Sequence, residues 1–162
     1  IGNNPNDVDT IIVELRNPNS YEIVASVDVI LKTDGTAFCN FLTAPSGLFY
    51  IIVKNNNIIQ TWSANPLLIG ATPLSYDFTT AANKAYGNNM VELETGVFGM
   101  YSGDINQDEV IDGTDAVGLL NDVENSAFGD LATDLNGDGS VDNSDIIYQS
   151  NNAKNSIFAS HP

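Results

Sequence analysis

The sequence reads DINQDEVIDGTD from Asp104 to Asp115 and DLNGDGSVDNSD from Asp134 to Asp145. Both stretches place oxygen-bearing side chains at positions 1, 3, 5, 9 and 12 of a twelve-residue loop. A calcium ion takes about six to eight oxygen ligands, and an EF-hand loop supplies them from these positions and from the main-chain carbonyl at position 7. Asp, Asn and Gly also favour simple turns, but two copies with the same spacing favour metal binding. The spacing therefore predicts two calcium loops and two bound ions.

The predicted ligands follow from the loop positions. In the first loop they are Asp104, Asn106, Asp108, the carbonyl of Val110, Asp112 and Asp115. In the second loop they are Asp134, Asn136, Asp138, the carbonyl of Ser140, Asp142 and Asp145. Position 8 is apolar in both copies, Ile111 and Val141, which predicts that the two loops pair with each other there as a short strand.

Both loops carry Asp at position 12, where the ordinary EF-hand carries Glu, and no clear helix precedes either loop. This combination resembles the dockerin type I repeat of secreted bacterial proteins, in which a calcium loop precedes one helix and two such units pack antiparallel. The resemblance spans about residues 102–158 and implies helices over residues 116–125 and 146–158. Dockerins bind a cohesin partner through paired helix residues, and the corresponding positions here hold Ala116, Val117, Ile146 and Ile147. Cohesin binding does not follow from the calcium loops alone.

The two loops differ at position 6, where the backbone makes a sharp turn. Gly139 in the second loop suits a positive φ, whereas Glu109 in the first loop adopts it at a cost of about 1 kcal/mol. We therefore expect the first site to be the weaker one.

The charge of the chain supports calcium binding and argues against nucleic acid as a partner. The formal net charge is −16, and residues 101–162 hold 12 of the 21 acidic groups with Lys154 as their single basic residue. Nine of those acids fall within the two loops, so their repulsion should oppose a compact state without metal. We expect folding of this part to be coupled to calcium binding. Nucleic acid is not an expected partner, because its phosphates require Lys and Arg.

Residues 8–101 read as short β-strands separated by turn signals, with period-two alternation and many β-branched or aromatic residues. The predicted strands cover residues 11–16, 22–31, 36–42, 48–54, 58–64, 67–69, 74–78, 90–94 and 97–101. This spacing is typical of an antiparallel sandwich. The segment TTAANKAY predicts one helical turn, with Thr79 and Thr80 as candidate caps. The stretch SGLFYIIVKNNNIIQTW, residues 46–62, is similar to a hairpin common in prealbumin-like and carboxypeptidase-regulatory-like sandwiches of secreted bacterial proteins.

The predicted fold is therefore mainly β: an antiparallel β-sandwich over residues 1–101, followed by a small α-helical dockerin-like calcium module over residues 102–162. Met100 to Gly103 join the two parts without a Pro, Ser or Gly tract, which favours a rigidly docked module over a detachable one.

Few residues could support catalysis. The single histidine, His161, precedes the terminal Pro162, which argues against a catalytic triad and a histidine zinc site. Glu92 and Glu94 face the same way on one strand, which is typical of a solvated sheet face and lacks the geometry of a glycosidase pair. The sequence thus predicts a protein that is not an enzyme.

Composition favours a secreted or cell-surface protein. Calcium loops of moderate affinity are filled where calcium is millimolar, as it is outside cells. The sequence contains no run of 18 apolar residues, so it predicts no membrane span. The chain begins at Ile1, which suits a processed mature chain as well as a truncated one. Cys39 has no second cysteine for an internal disulfide and is expected to be a small buried apolar residue.

Three functions remain open. The first is a structural subunit of a cell-surface or extracellular assembly such as a fibre, whose partners are other copies of itself. Its candidate contact is the segment from Val8 to Leu15, preceded by the extension at residues 1–8, although this segment is also the natural first strand of its own sheet. The second is an anchor that binds a cohesin-type partner. The third is a carbohydrate-binding module in which Trp62, Tyr76 or Tyr86 stacks on a glycan.

Overall fold

The computed structural model describes residues 4–42 and 44–162, and it is mainly β with antiparallel pairing and two α-helices. The strands are β1 Asp7–Arg16, β2 Ile23–Lys32, β3 Gly47–Lys54, β4 Thr61–Trp62, β5 Leu67–Ile69, β6 Val91–Glu94 and β7 Val97–Gly99. Two 3-10 turns cover Ala82–Lys84 and Tyr86–Asn88, and the helices are α1 Asp115–Glu124 and α2 Asn143–Lys154. Within the described residues, neither helix has the length and apolar character needed to cross a membrane.

The main sheet has the order β2-β1-β3-β4, and β5 also pairs with β3. Strand β1 lies in the interior of this sheet, where Val13 faces Val27 on one side and Val53 on the other. The predicted strands over residues 11–16, 22–31 and 48–54 are therefore confirmed. The segment from Val8 to Leu15 pairs within its own chain, whereas Ile1 to Asn3 lie outside the described residues.

The two faces of this sheet bury different clusters. Alternate residues of β1, β2 and β3 form one apolar cluster of Ile11, Val13, Val29 and Val53, covered by Cys39, Phe41, Phe78 and Met100 among others. The opposite face carries an aromatic cluster of Tyr50, Ile52 and Trp62, with Tyr86 packed against it. Strands β6 and β7 form a separate two-stranded hairpin.

Two predicted strands are wrong. Residues 36–42 and 74–78 form no strand, although Phe41 and Phe78 do pack on the apolar cluster. Alternation reports which side chains are buried, and it does not report whether the backbone finds a hydrogen-bonding partner. The predicted strand over residues 58–64 is likewise reduced to Thr61–Trp62.

The helical turn exists as the two 3-10 turns, but its predicted caps are wrong. The first turn follows Ala81, which makes no side-chain cap bond. Thr79 instead donates its backbone N–H and its hydroxyl to the carboxylate of Asp77, at 2.8 and 2.7 Å.

Both predicted helices are present with shifted ends. Helix α2 begins at Asn143 because Asp142 and Asp145 form a capping box, and it ends at Lys154. The helices end alike: Ser126 and Ser156, two residues beyond each helix, both have positive φ, 50° and 51°. The thirty-residue repeat therefore extends beyond the loops into the helix ends.

Candidate metal centres

The aspartate at position 12 holds each loop in shape. In the first loop Asp115 Oδ1 accepts the N–H groups of Ile105 and Asn106 at 2.8 and 3.1 Å, and Oδ2 accepts that of Asp112 at 2.9 Å. In the second loop Asp145 accepts the equivalent three bonds at 2.8, 3.1 and 2.9 Å. This agreement shows that the two loops share one backbone architecture.

Positions 3, 9 and 11 form a second repeated network. The Asn106 side-chain amide donates to Thr114 Oγ1 at 3.0 Å, as that of Asn136 does to Ser144 Oγ at 2.9 Å. The position 9 carboxylates, Asp112 and Asp142, each accept the N–H and the hydroxyl of position 11 at 2.7 Å. These hydrogen bonds lower the pKa of both carboxyls below its ordinary value, so they are ionised at neutral pH.

The loops differ at positions 1 and 6, where the sequence also differs. Asp134 accepts N–H bonds from Gly137 and Gly139 at 2.9 and 2.8 Å, whereas Asp104 accepts one from Asp108 at 3.1 Å. Glu109 and Gly139 both have positive φ, 74° and 86°. The unusual backbone conformation expected at Glu109 is thus present, whereas the relative affinity of the sites stays a prediction.

The predicted pairing of the two loops with each other is wrong. Ile111 N–H donates to the carbonyl of Ile157, and Ala159 N–H donates to that of Glu109, both at 2.8 Å. In the second loop Val141 N–H donates to the carbonyl of Ala127, and Gly129 N–H to that of Gly139, both at 2.9 Å. Each loop therefore pairs with the segment after the other repeat's helix, because the helices carry these segments across to the opposite loop.

Three of the loop carboxylates are buried: Asp104, Asp115 and Asp145 are 2%, 1% and 0% exposed. Among the described residues, none of the three forms an ion pair with Lys or Arg. Burial, together with the neighbouring charge of Asp115, raises the pKa of Asp104 to about 6. Buried carboxylates are ordinarily paired with a cation or bound to a metal, so this donor set fits a hard divalent ion.

Carboxylates alone do not make either site. The described residues contain no group of three or more His, Cys, Asp or Glu side chains that could hold a metal by themselves. A calcium loop, however, also uses amide and main-chain oxygens, and Asn106, Asn136 and the carbonyls of Val110 and Ser140 stand at those positions. The loop pattern, rather than a carboxylate cluster, is what fits calcium.

The first loop is attached directly to the sheet domain. Ile59 from the segment before β4, Ile111 of the loop and Ala159 after α2 form one buried cluster. Backbone bonds reinforce the junction, since Gly103 N–H donates to the carbonyl of Asn57 at 2.7 Å and Ile59 N–H donates to that of Tyr101 at 2.9 Å. The two parts of the chain share a core, as the missing linker predicted.

Further side-chain contacts hold residues 102–162 together, and one of them, between Gln60 and Glu109, crosses to the sheet domain. Gln149 is buried and donates to the carbonyl of Asp112 at 2.5 Å, and Asn152 donates to that of Ser102 at 2.7 Å. Glu109 accepts a bond from Gln60 and lies 3.4 Å from His161 Nε2. A polar residue at one helical position carries no signal of a distant partner, so these contacts had no signature in the sequence.

The structure also shows how exposed the residues predicted for the alternative functions are. Val117 and Ile147, at equivalent positions of the two repeats, are 70% and 60% exposed. Trp62 is 2% exposed, lies under the ring of His161 at 5.6 Å, and is therefore part of the aromatic cluster rather than an open platform. Glu92 and Glu94 are both exposed, as a solvated strand face requires.

No protein-family model matches the chain, and no curated protein matches it. A search of solved structures finds a chain of a C-terminal interface mutant of a type II Cohesin-X-Dockerin complex from Acetivibrio cellulolyticus. The sequences are 16% identical, the TM-score is 0.49, and the match covers 88% of this chain and 79% of that one. A similarity at this level does not assign the protein to a family.

Proposed function

We propose that this protein is a non-catalytic, calcium-stabilised structural protein of the extracellular space, acting as a subunit of a cell-surface or extracellular assembly. The observation that carries the proposal is the set of buried loop carboxylates, Asp104, Asp115 and Asp145, without an ion-pair partner in the described residues. Backbone N–H groups stabilise Asp115 and Asp145 in part, but their buried negative charge stays unbalanced, so a cation that binds only the native state raises its stability.

In this proposal calcium is held by the twelve predicted positions and supplies charge neutralisation rather than chemistry. The first ion would be held by Asp104, Asn106, Asp108, Val110 carbonyl, Asp112 and Asp115, and the second by Asp134, Asn136, Asp138, Ser140 carbonyl, Asp142 and Asp145. The shared cluster of Ile59, Ile111 and Ala159 supports a role in which metal binding rigidifies the whole protomer. A rigid protomer is what a repeating assembly needs.

The finer architecture belongs to the same proposal. We take residues 102–162 as a dockerin-like module, supported by the crossed pairing of the two repeats and by the Asp at each position 12. We take the sheet and the segments packed over its apolar cluster as a β-sandwich whose second layer is irregular, supported by the packing of Phe41, Phe78 and Met100 on that face.

Calcium titration tests the metal sites. Isothermal titration should give two sites in the natural chain, with the tighter one lost in Asp134→Ala and the weaker one lost in Asp104→Ala. At a hundredfold excess over Kd each site adds about 2.7 kcal/mol to the free energy of unfolding, so EDTA should lower the melting temperature substantially. An unchanged melting temperature in EDTA at low salt would refute metal-dependent stability.

The assembly itself is tested by electron microscopy and analytical ultracentrifugation of the purified chain with millimolar calcium and with EDTA. We expect oligomers or filaments with calcium and their loss on chelation. A monodisperse monomer at high concentration in calcium would refute the structural role while leaving the metal sites intact.

An anchoring function is the second candidate, favoured by the exposure of Val117 and Ile147. Two apolar side chains repeated on α1 and α2 and open to solvent suit a protein partner of the cohesin type. A pull-down against a panel of cohesins should then succeed with the natural chain and fail with Val117→Asp or Ile147→Asp. Leu93→Asp, on the exposed β6 hairpin, is the matched control that should keep binding.

A further inference from the structure

Residues 37–42, here called the AFCNFL segment, pack on the apolar face of the sheet without joining it. Their exposure alternates: Ala37, Cys39 and Phe41 are partly buried against the apolar cluster, whereas Phe38, Asn40 and Leu42 point outward. Such alternation is the pattern of a β-strand with one face on a core. The side chains of this segment are thus arranged as in a sheet.

The backbone of this segment has no ladder. Among the described residues, the N–H and C=O groups of Phe38, Cys39 and Asn40 take part in no hydrogen bond, and Phe41 uses its carbonyl for a turn to Ala44 at 3.3 Å. A segment with strand-like alternation of buried and exposed side chains and with unused backbone donors and acceptors is a template for pairing with another strand. The partner that fits this segment is therefore an extended strand of another chain.

The exposed side chains of the segment are unusually apolar for open positions. Phe38 is 84% exposed and Leu42 is 86% exposed, the two highest values among the large apolar residues on the surface of the described chain. Phe38 lies two residues before Asn40 and Leu42 lies two residues after it, so large apolar side chains are placed symmetrically about Asn40. If two copies align antiparallel with Asn40 opposite Asn40, Phe38 of each copy faces Leu42 of the other. Such aromatic to aliphatic cross-strand pairs stabilise a sheet by about 0.2–1 kcal/mol each.

Charge favours a second copy as the occupant at this place. The chain carries a net charge of −16, so two copies repel over most of their surfaces. Residues 36–42 contain no charged residue, so this strand can approach its own copy without placing like charges opposite each other. A partner protein of a different charge would not require an uncharged contact segment, so the absence of charge in residues 36–42 favours a second copy of this chain.

We propose that two copies of this protein associate through the AFCNFL segment, which forms an antiparallel two-stranded ladder about a two-fold axis at Asn40. The proposal rests on the structural role proposed above and names the contact that would build the assembly. The interface is isologous, so it makes closed dimers by itself, and longer assemblies need a second contact.

Charged substitutions test the pairing. In the double variant Phe38→Lys with Leu42→Lys, the register places an introduced lysine of one copy opposite an introduced lysine of the other, so we expect the dimer dissociation constant to rise by at least about tenfold. The matched control is Leu93→Lys with Leu68→Lys, which adds the same charge at other exposed apolar positions and should leave the constant unchanged. Sedimentation of the full chain in millimolar calcium measures both.

Complementation tests the register. A mixture of the double lysine variant with a chain carrying both Phe38→Asp and Leu42→Asp should form heterodimers, because each introduced lysine then faces an introduced aspartate. Independently, Asn40→Cys in a Cys39→Ser background should form a covalent dimer under mild oxidation, since opposite Cβ atoms lie about 4.5–5.5 Å apart. The natural chain should form no such covalent dimer, because in this register Cys39 faces Phe41 of the other copy.

The outcomes separate this proposal from the proposed function. Oligomers that persist in the double lysine variant, or a dimer that gives no Asn40→Cys cross-link, would overturn the AFCNFL contact and leave the structural role standing. A full chain that stays monomeric with and without calcium would overturn both.

Discussion

Replacing Ile59 by Ala is the most direct test of the claim that the calcium module and the sheet domain share one core. Ile59 belongs to the sheet domain and is fully buried, yet it clusters with Ile111 and Ala159 of the module, and Tyr101, Ala153 and Ile157 pack against this cluster. The substitution leaves every predicted calcium ligand untouched. Any effect on calcium binding must therefore pass through the packing between the two parts.

The magnitude follows from the size of the deletion. Ile to Ala removes three buried carbons, worth about 0.8 kcal/mol each in transfer free energy, and the cavity adds to this, for a total of about 2–5 kcal/mol. At this chain length 1 kcal/mol shifts the melting temperature by about 2–4 °C, so we expect a fall of about 4–20 °C. Calorimetry should also show the single transition separating into two, while isothermal titration shows weaker calcium binding.

Ile52→Ala is the matched control. Ile52 is also 0% exposed, but it packs in the aromatic cluster with Tyr50 and Trp62 and not in the cluster with Ile111 and Ala159. It should cost a similar free energy of unfolding and leave the calcium affinity of the folded chain nearly unchanged. If both variants weakened calcium binding equally, or if Ile59→Ala left binding intact, the shared core would not couple the metal sites to the sheet.

Two further perturbations separate the two loops. Deleting residues 157–162 removes the segment that pairs with Ile111, so calcium titration should show the first site weakened more than the second. The fluorescence emission of Trp62 should also shift to longer wavelength, because the deletion removes His161 from its ring. Equal loss of affinity at both sites would refute the crossed pairing. Gly139→Ala places a methyl group where no atom lies within 4 Å, so only its φ of +86° opposes the change, and the second site should weaken by about 1 kcal/mol, or about fivefold. Gly113→Ala, also with free space but without a positive φ, should bind as the natural chain does, and a loss there would mean that the effect is not conformational.

The sequence predicted best the features that depend on neighbouring residues. The strands over residues 11–16, 22–31 and 48–54 are long β-branched runs with clear turns between them, and all three are present. The helices after the loops and the positive φ at Glu109 likewise follow from local spacing. In each case the residues that determine the feature lie within one turn or one strand of it.

Features that depend on distant partners were predicted poorly. Residues 36–42 alternate as a strand does, yet nothing in TAFCNFL states which backbone lies beside it. The same limit explains the wrong pairing of the loops, since apolar residues at position 8 show that a contact exists but not with which segment. Ile59 is one of many apolar residues in a β-rich stretch, and only the fold shows that it packs on the calcium module.

The crossed pairing determines how a metal bound in the loops would act on the molecule. The segment around Phe158 closes the first loop and the segment around Phe128 closes the second, so each repeat supplies a strand that the other requires. We therefore expect neither repeat to fold alone, and an ion bound at one loop would stabilise the segment that belongs to the other. Because Ile111 of the first loop also packs on Ile59, the sheet domain is part of the same cooperative unit. A metal that binds either loop is therefore expected to stabilise the whole protomer.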